Sequence, residues 1–143
     1  MTVHKIAKGT ITVLLVLVLS LGALVSCEGG IDTEEAENMI FKFIIEIEAG
    51  NFYVADDYLH PSRSASLSTF FGKMESALGV DFQKGMDIGD KVATTYAYYT
   101  SEYDGSTYET TFPITVSKVK IMFTFLIVSD ERGTGIYNIH VEA

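Results

Sequence analysis

The sequence has little cysteine and little positive charge: one cysteine, Cys27, and ten basic residues against 19 acidic ones among 143. One cysteine excludes an intramolecular disulfide and a zinc site built on cysteines. The shortage of Lys and Arg excludes nucleic-acid binding, because basic side chains are needed to displace the counterions of a phosphate backbone. An acidic chain is also repelled by anionic lipid headgroups. Any membrane attachment must therefore come from another feature.

That feature is the N-terminal segment, where the apolar residues are concentrated. Lys5 and Lys8 precede a run of uncharged residues at positions 11–24, and the first 26 residues contain no acid. A helix over that run reaches about 20 Å, short of the ~30 Å hydrocarbon core of a bilayer. This pattern is typical of a cleavable export signal, residues 1–26. The remainder holds eight basic and 19 acidic residues, a net charge of −11.

The apolar run ends in Leu24, Val25, Ser26 and Cys27: a branched apolar residue, a tolerant position, a small residue and a cysteine. These four residues resemble the lipobox of bacterial lipoproteins. The resemblance implies that diacylglycerol is attached to the Cys27 thiol and that the signal is cut just before it. An uncleaved membrane anchor and a plain secretory signal are the alternatives. Residues 27–32 are then the lipidated cysteine and a flexible tether, on the extracytoplasmic side of the cell membrane.

Residues 33–143 begin with helical periodicity. Apolar residues recur at spacings of three and four, which predicts a helix of about sixteen residues that begins after Asp32 or Thr33 and ends at Gly50. A shorter helix is expected before Pro61, and a third one ends at Gly79. The first half of the domain is therefore helical.

The second half shows the alternation of strands from Lys91 onward. Asp104 and Gly105 predict a hairpin turn, and Pro113 suggests an edge strand or a bulge. Apolar residues that alternate along the last two strands are expected on one face of each strand. The cleanest buried face is that of Val119, Ile121, Phe123, Phe125 and Ile127, and the last strand has Tyr137, Ile139 and Val141. Helices followed by an antiparallel meander predict an α+β fold with the helices packed on one sheet face.

This order of elements resembles the nuclear transport factor 2-like superfamily. The stretch Ala49-Gly50-Asn51-Phe52, with Ala55, is similar to the helix break common there. An acid often follows the glycine in that family, and Asn51 is a mild departure. The resemblance implies a curved sheet that wraps the helices into a cone with a pocket at its wide end. A cystatin-like or unrelated α+β roll is the alternative.

The densest polar group in the domain is Asp56, Asp57, Tyr58 and His60. A carboxylate and an imidazole in a pocket can do acid–base chemistry. Enzymes of the superfamily that the chain resembles place an acid or a histidine inside the cone, but no motif transfers those positions here. The alternative is a solvated helix end, with Asp56 and Asp57 on its polar side and Tyr58 on its apolar side.

Tyrosines crowd the first hairpin. Alternation places Tyr99 and Tyr103 on one face, opposite Tyr96 and Tyr98, so that one set can fill the core while the other contacts a partner. Tyr99 and Tyr103 are therefore a candidate interface, including one for a homodimer through the sheet. Cross-strand aromatic packing alone is the plainer alternative.

The function predicted from these features is binding, not catalysis. The sequence contains no phosphate-binding loop, nucleophile elbow, zinc-protease helix or calcium loop, and we expect no cofactor and no metal. We predict a membrane-tethered module that binds a small hydrophobic ligand or a protein. The alternatives are an acid–base enzyme, of the isomerase or cyclase type, acting on a small hydrophobic substrate, and a structural subunit of an envelope assembly.

Overall fold

A long helix, α1 (Thr33–Ala49), opens the part of the chain that the computed structural model describes, residues 30–143. The Asp32 carboxylate caps it by accepting hydrogen bonds from the backbone nitrogens of Glu34 and Glu35, at 2.9 and 3.3 Å. Gly50 ends it in a left-handed conformation, with φ of 77°. The predicted bounds are confirmed. The predicted signal, the lipobox and Cys27 lie outside the described residues.

Two shorter helices follow, as the periodicity indicates. Helix α2 (Phe52–Ala55) continues into a 3₁₀ turn, Asp56–Tyr58. Helix α3 (Leu67–Leu78) ends at Gly79, and a second 3₁₀ turn covers Phe82–Lys84. None of the helices among residues 30–143 is long and apolar enough to cross a membrane.

The rest of the domain is one antiparallel sheet. Its strands are β1 (Asp87–Ile88), β2 (Ala93–Thr100), β3 (Gly105–Val116), β4 (Val119–Asp130) and β5 (Gly133–Glu142). Strand β3 pairs with β4, and β4 pairs with β5. Strands β1 and β2 pair with β3 along its other side, one after the other. The predicted α+β class is confirmed: three helices pack against a five-stranded antiparallel sheet.

Pro113 lies in an interior strand, so the expectation of an edge or a bulge is wrong. The register of β3 with β4 runs unbroken across it. On the other side of β3, Pro113 lies between the residues that pair with β1 and those that pair with β2. Its carbonyl oxygen accepts a hydrogen bond from the backbone nitrogen of Gly89 at 2.8 Å. The N and C=O of one residue point to the same side of an antiparallel ladder. The nitrogen of Pro113, which carries no hydrogen, therefore faces the break between β1 and β2. The sheet loses no hydrogen bond there.

The core lies between α1, α3 and one face of β3 and β4. The predicted buried face of β4 is confirmed, because four of its side chains are fully buried: Ile121, Phe123, Phe125 and Ile127. Phe43 of α1 packs edge-on against Phe125, with ring centroids 6.2 Å apart, and also contacts Phe71 of α3. Each such side chain contributes ~1.5–3 kcal/mol by leaving water.

Strand β5 contains a bulge that the alternation does not predict. Ile136 pairs with Ile127, but Asn138 pairs with Leu126, so Tyr137 is the extra residue. Ile136 is therefore buried on the core face, and Tyr137 leaves the expected pattern of residues 137, 139 and 141. The bulge places Tyr137 beside the site described next.

Candidate functional site around His60

The chain after the first 3₁₀ turn crosses to the sheet and pairs with β5. Leu59 forms a parallel bridge with Ile136, and the backbone nitrogen of His60 donates to the Ile136 carbonyl at 2.9 Å. The approach is close enough that a side chain at Gly135 would strike the backbone of His60. The imidazole of His60 is 0 % exposed as a result.

Both ring nitrogens of His60 have partners. Nε2 lies 3.0 Å from Asp130 Oδ1, and Nδ1 lies 2.7 Å from Ser62 Oγ and 3.1 Å from Ser62 N. A backbone N–H only donates, so Nδ1 must carry a lone pair, and in the neutral ring Nε2 carries the hydrogen. His60 is therefore the Nε2–H tautomer, which donates to Asp130 and accepts from Ser62.

Asp130, at the end of β4, is held as an anion. Arg132 donates to Oδ2 from Nη2 at 2.6 Å and from Nε at 3.1 Å, and its backbone nitrogen donates to Oδ1 at 2.9 Å. These hydrogen bonds from Arg132, with a smaller one from His60, outweigh burial and lower the pKa of Asp130 from 3.8 to about 2. The side chain of Asp130 is almost fully buried, whereas that of Arg132 is half exposed.

Tyr137 joins this cluster to the surface. Its ring lies 5.7 Å from the His60 ring and 5.1 Å from the Tyr103 ring, both in edge-on geometry. The guanidinium carbon of Arg63 lies 4.6 Å from the Tyr137 centroid. The chain has only two arginines, Arg63 and Arg132, and both belong to this cluster.

A groove of about 250 Å³ lies beside Tyr137, between the 59–70 segment and β5. Its apolar lining is Leu59, Ala65, Leu67, Phe70, Ile136 and Ile139. Arg63 is an exposed part of the lining, and it makes no ion pair with any acid among residues 30–143. The groove thus combines an apolar surface with a cation whose charge no acid of the described residues neutralises.

Two larger depressions are weaker candidates. One, of about 340 Å³, follows α1 and is lined mostly by exposed polar side chains, with Tyr58 at its edge. The other, of about 440 Å³, contains Glu37, which already accepts hydrogen bonds from Lys91 Nζ at 2.5 Å and from the Tyr108 hydroxyl at 2.6 Å. Neither combines a mainly apolar lining with a cation that lacks an acidic partner: the first is mostly polar, and in the second Lys91 is paired with Glu37.

The four polar residues that the sequence groups together separate in the structure. Asp56 and Asp57 are exposed, Tyr58 borders the depression along α1, and only His60 is buried. The partners of His60 come from elsewhere, because Asp130 is 70 residues further along the chain. No local pattern signals Asp130, which the sequence presents only as the start of a polar turn.

The two candidate interface tyrosines also make different contacts. Tyr99 is exposed and donates to Asp104 at 2.6 Å, whereas Tyr103 is half-buried against Tyr137. The expectation that one tyrosine set of β2 fills the core is wrong, since Tyr96 and Tyr98 are 43 % and 62 % exposed. Tyr108 of β3 takes that place, at 3 % exposure. Dimerisation through the sheet stays a prediction.

Residues 30–143 contain no group of three or more His, Asp or Glu side chains that could hold a metal ion. In comparisons with known proteins, no family model, no curated protein and no solved structure matches this chain.

Proposed function

We propose that this chain is an extracytoplasmic lipoprotein, anchored through Cys27, whose domain binds a small amphipathic anion in the groove beside Tyr137. The lipobox-like residues 24–27 and the basic, apolar leader before them support the anchor. The groove supports the binding role. Its ligand class follows from its lining, which combines an apolar surface with one cation.

The observation that carries the binding proposal is the position of Arg63. This guanidinium lies at an apolar groove and stacks on Tyr137, with no carboxylate among the described residues as its partner. A domain of strong negative charge repels anions in general, so an anion is held only where such a cation and apolar contact coincide. The groove is smaller than the roughly 300–1,000 Å³ typical of drug-sized ligands. A short-chain carboxylate fits this description.

The finer description of the fold is part of the same proposal. We propose the nuclear transport factor 2-like cone, on the order of the elements: a long helix, a break at Gly50, a short helix and then long antiparallel strands. The groove then lies where the segment after the short helix meets the last strand.

The acid–base alternative has less support. An isomerase or cyclase of this type requires a carboxylate or a histidine that contacts the substrate directly in a pocket, but Asp56 and Asp57 are exposed and the imidazole of His60 is fully buried. Fold resemblance alone does not imply the chemistry of a family. Binding therefore remains the preferred function.

The anchor is tested on the full chain in bacteria grown with radiolabelled palmitate. We expect label on the wild-type protein and none on Cys27→Ser, because the acyl chains join the protein through that sulfur. An unlabelled wild-type protein that retains Met1 would contradict the anchor and the location together.

The groove is tested on the full-length lipoprotein in phosphatidylcholine nanodiscs, with octanoate as the probe and empty nanodiscs as the blank. We expect Arg63→Gln to weaken octanoate binding about tenfold, a change of ~1.4 kcal/mol. Lys73→Gln is the matched control, because it removes one exposed cation of α3 that does not line the groove. Equal affinity of the wild type and Arg63→Gln would refute the proposed site.

A further inference from the structure

We infer that Ser62 is a nucleophilic serine, activated by His60 and Asp130, which accepts acyl groups from esters with a short apolar acyl chain. The substrate class rests on the groove proposed above. The reactivity of Ser62 rests only on the hydrogen bonds of the three side chains.

The geometry is that of a nucleophile, a base and a group that orients the base. Ser62 Oγ lies 2.7 Å from the unprotonated Nδ1 of His60, and the Nε2–H of the same ring points to Asp130 at 3.0 Å. Both distances fall in the ~2.6–3.2 Å range of activated serines. The serine–histidine–carboxylate mechanism uses one ring nitrogen that accepts the hydroxyl proton and another that donates to a carboxylate, and the ring of His60 has both.

The burial of the three groups suits this chemistry. Ser62 is exposed, whereas His60 and the carboxylate of Asp130 are shielded from water. A buried anion stabilises the imidazolium that forms when the ring takes a proton. Arg132 keeps Asp130 ionised, so the anion is in place before any substrate arrives.

A local turn explains only part of the arrangement. The two hydrogen bonds between His60 and Ser62 close a turn of three residues, and such a turn by itself is structural. It does not require a buried carboxylate, contributed by β4, on the opposite nitrogen of the ring. The carboxylate is the additional element that a base needs.

The reaction is acyl transfer. The Ser62 oxygen attacks the ester carbonyl, its proton passes to Nδ1 of His60, and a bond forms between Oγ and the carbonyl carbon. The bond from that carbon to the alkoxy oxygen breaks, and the alcohol leaves with the proton from His60. A water molecule that arrives from the exposed side of Ser62 then attacks the acyl carbon and gives its proton to Nδ1 of His60. The bond between that carbon and Oγ breaks, Oγ takes the proton back from His60, and the carboxylic acid is released. Ester and water are the only reactants.

The groove supplies the substrate class. Arg63, the residue after Ser62, lines it together with apolar side chains. Ser62 precedes Arg63 in the chain and is not itself part of the lining. A short acyl chain that lies on the apolar surface would therefore have to direct its carbonyl carbon out of the groove, past Arg63, to reach Ser62. The released carboxylate is the kind of amphipathic anion proposed above as the ligand.

The test uses the full-length lipoprotein in nanodiscs and a small alkyl fluorophosphonate, whose adduct is located by peptide mass spectrometry. We expect the adduct on Ser62 and its loss in Ser62→Ala. Ser68→Ala is the matched control, because Ser68 is an exposed serine nearby in the chain that does not line the groove. Asp130→Asn should slow labelling of Ser62 by about a hundredfold or more, since an amide can donate to Nε2 and so favours the wrong tautomer.

Thermal unfolding of each variant separates loss of reactivity from loss of the fold. A folded wild-type protein without an adduct on Ser62, or with equal labelling of Ser68, would overturn the inference. The inference would also be overturned by a folded Asp130→Asn variant in which Ser62 is labelled at the wild-type rate. Octanoate binding without labelling refutes the nucleophile and leaves the groove standing, whereas labelling without octanoate binding refutes the groove alone.

Discussion

A Cβ atom on Gly135 would lie 2.4 Å from the backbone nitrogen of His60 and 2.5 Å from its Cα. Real Cβ atoms do not approach other atoms so closely, so the absence of a side chain on Gly135 is what allows His60 to reach the sheet. The hydrogen bond from His60 to the Ile136 carbonyl, and with it the position of the imidazole, depend on this contact. Gly135 thus belongs to the site although it has no side chain.

We therefore expect Gly135→Ala to lower the free energy of unfolding by about 2 kcal/mol or more, because backbone atoms must move apart. The backbone of Gly135 is not in the left-handed region, so the cost is steric. Urea denaturation measures it. Gly72→Ala on α3 is the control: nothing lies within 4 Å of the added atom, and the change should stabilise the helix by ~0.5–1 kcal/mol. Similar effects at the two positions would contradict this account.

The second prediction concerns the stability of the domain in acid. The pKa of Asp130 is lowered from 3.8 in the unfolded chain to about 2 in the folded protein. The ionised carboxylate therefore stabilises the fold fully at pH values above 3.8, and this stabilisation is lost as the pH falls through about 2. Asp130→Asn should therefore be less stable than the wild type at pH 7 and lose less stability between pH 4 and pH 2. Urea denaturation at several pH values measures both effects.

Asp57→Asn removes the same charge from an exposed position and is the matched control. It should leave the stability at pH 7 nearly unchanged. If Asp130→Asn followed the wild-type pH profile in this range, the hydrogen bonds of Asp130 would not be the source of the acid sensitivity.

The elements predicted correctly from the sequence are those whose signals are local. The limits of α1 follow from the cap at Asp32 and the left-handed residue Gly50, which act within a turn of the helix. The buried face of β4 follows from alternation that no bulge interrupts between Ile121 and Phe125. In these places local preference and tertiary packing favour the same structure.

The elements that were missed depend on partners far along the chain. Pro113 is tolerated in an interior strand only because the neighbouring edge breaks opposite it, at Gly89. The bulge at Tyr137 reverses the alternation in β5, and nothing within the strand marks it. The contact of His60 with Asp130 joins positions 70 residues apart. The candidate site was therefore predicted at one residue, His60, while its partners were not.

The turn between β3 and β4 gives the third prediction. Ser117 and Lys118 have φ angles of 49° and 68°, the left-handed region that a two-residue hairpin requires and that glycine or asparagine adopts more easily. Replacing the pair with Ser117→Asn and Lys118→Gly should raise the free energy of unfolding by ~1 kcal/mol. Lys120→Gly, within β4, is the control and should be destabilising. A double variant no more stable than the wild type would contradict the prediction.

The last prediction separates the ring of Tyr137 from its hydroxyl. The ring contacts His60, Tyr103 and the Arg63 guanidinium, so Tyr137→Leu should cost about 2 kcal/mol of stability from two aromatic contacts and one cation–π contact. Tyr137→Phe keeps the ring and should lower the free energy of unfolding by less than ~0.5 kcal/mol.

The same pair of variants bears on the groove, because Arg63 is held above the ring. Tyr137→Phe should bind octanoate as the wild type does, whereas Tyr137→Leu should bind it less tightly, since the guanidinium loses the surface that orients it. Titrations in nanodiscs compare the two. If Tyr137→Phe weakened octanoate binding as much as Tyr137→Leu, the hydroxyl of Tyr137 would be the group required for binding. The position of Arg63 on the ring would then not explain how the groove recognises an anion.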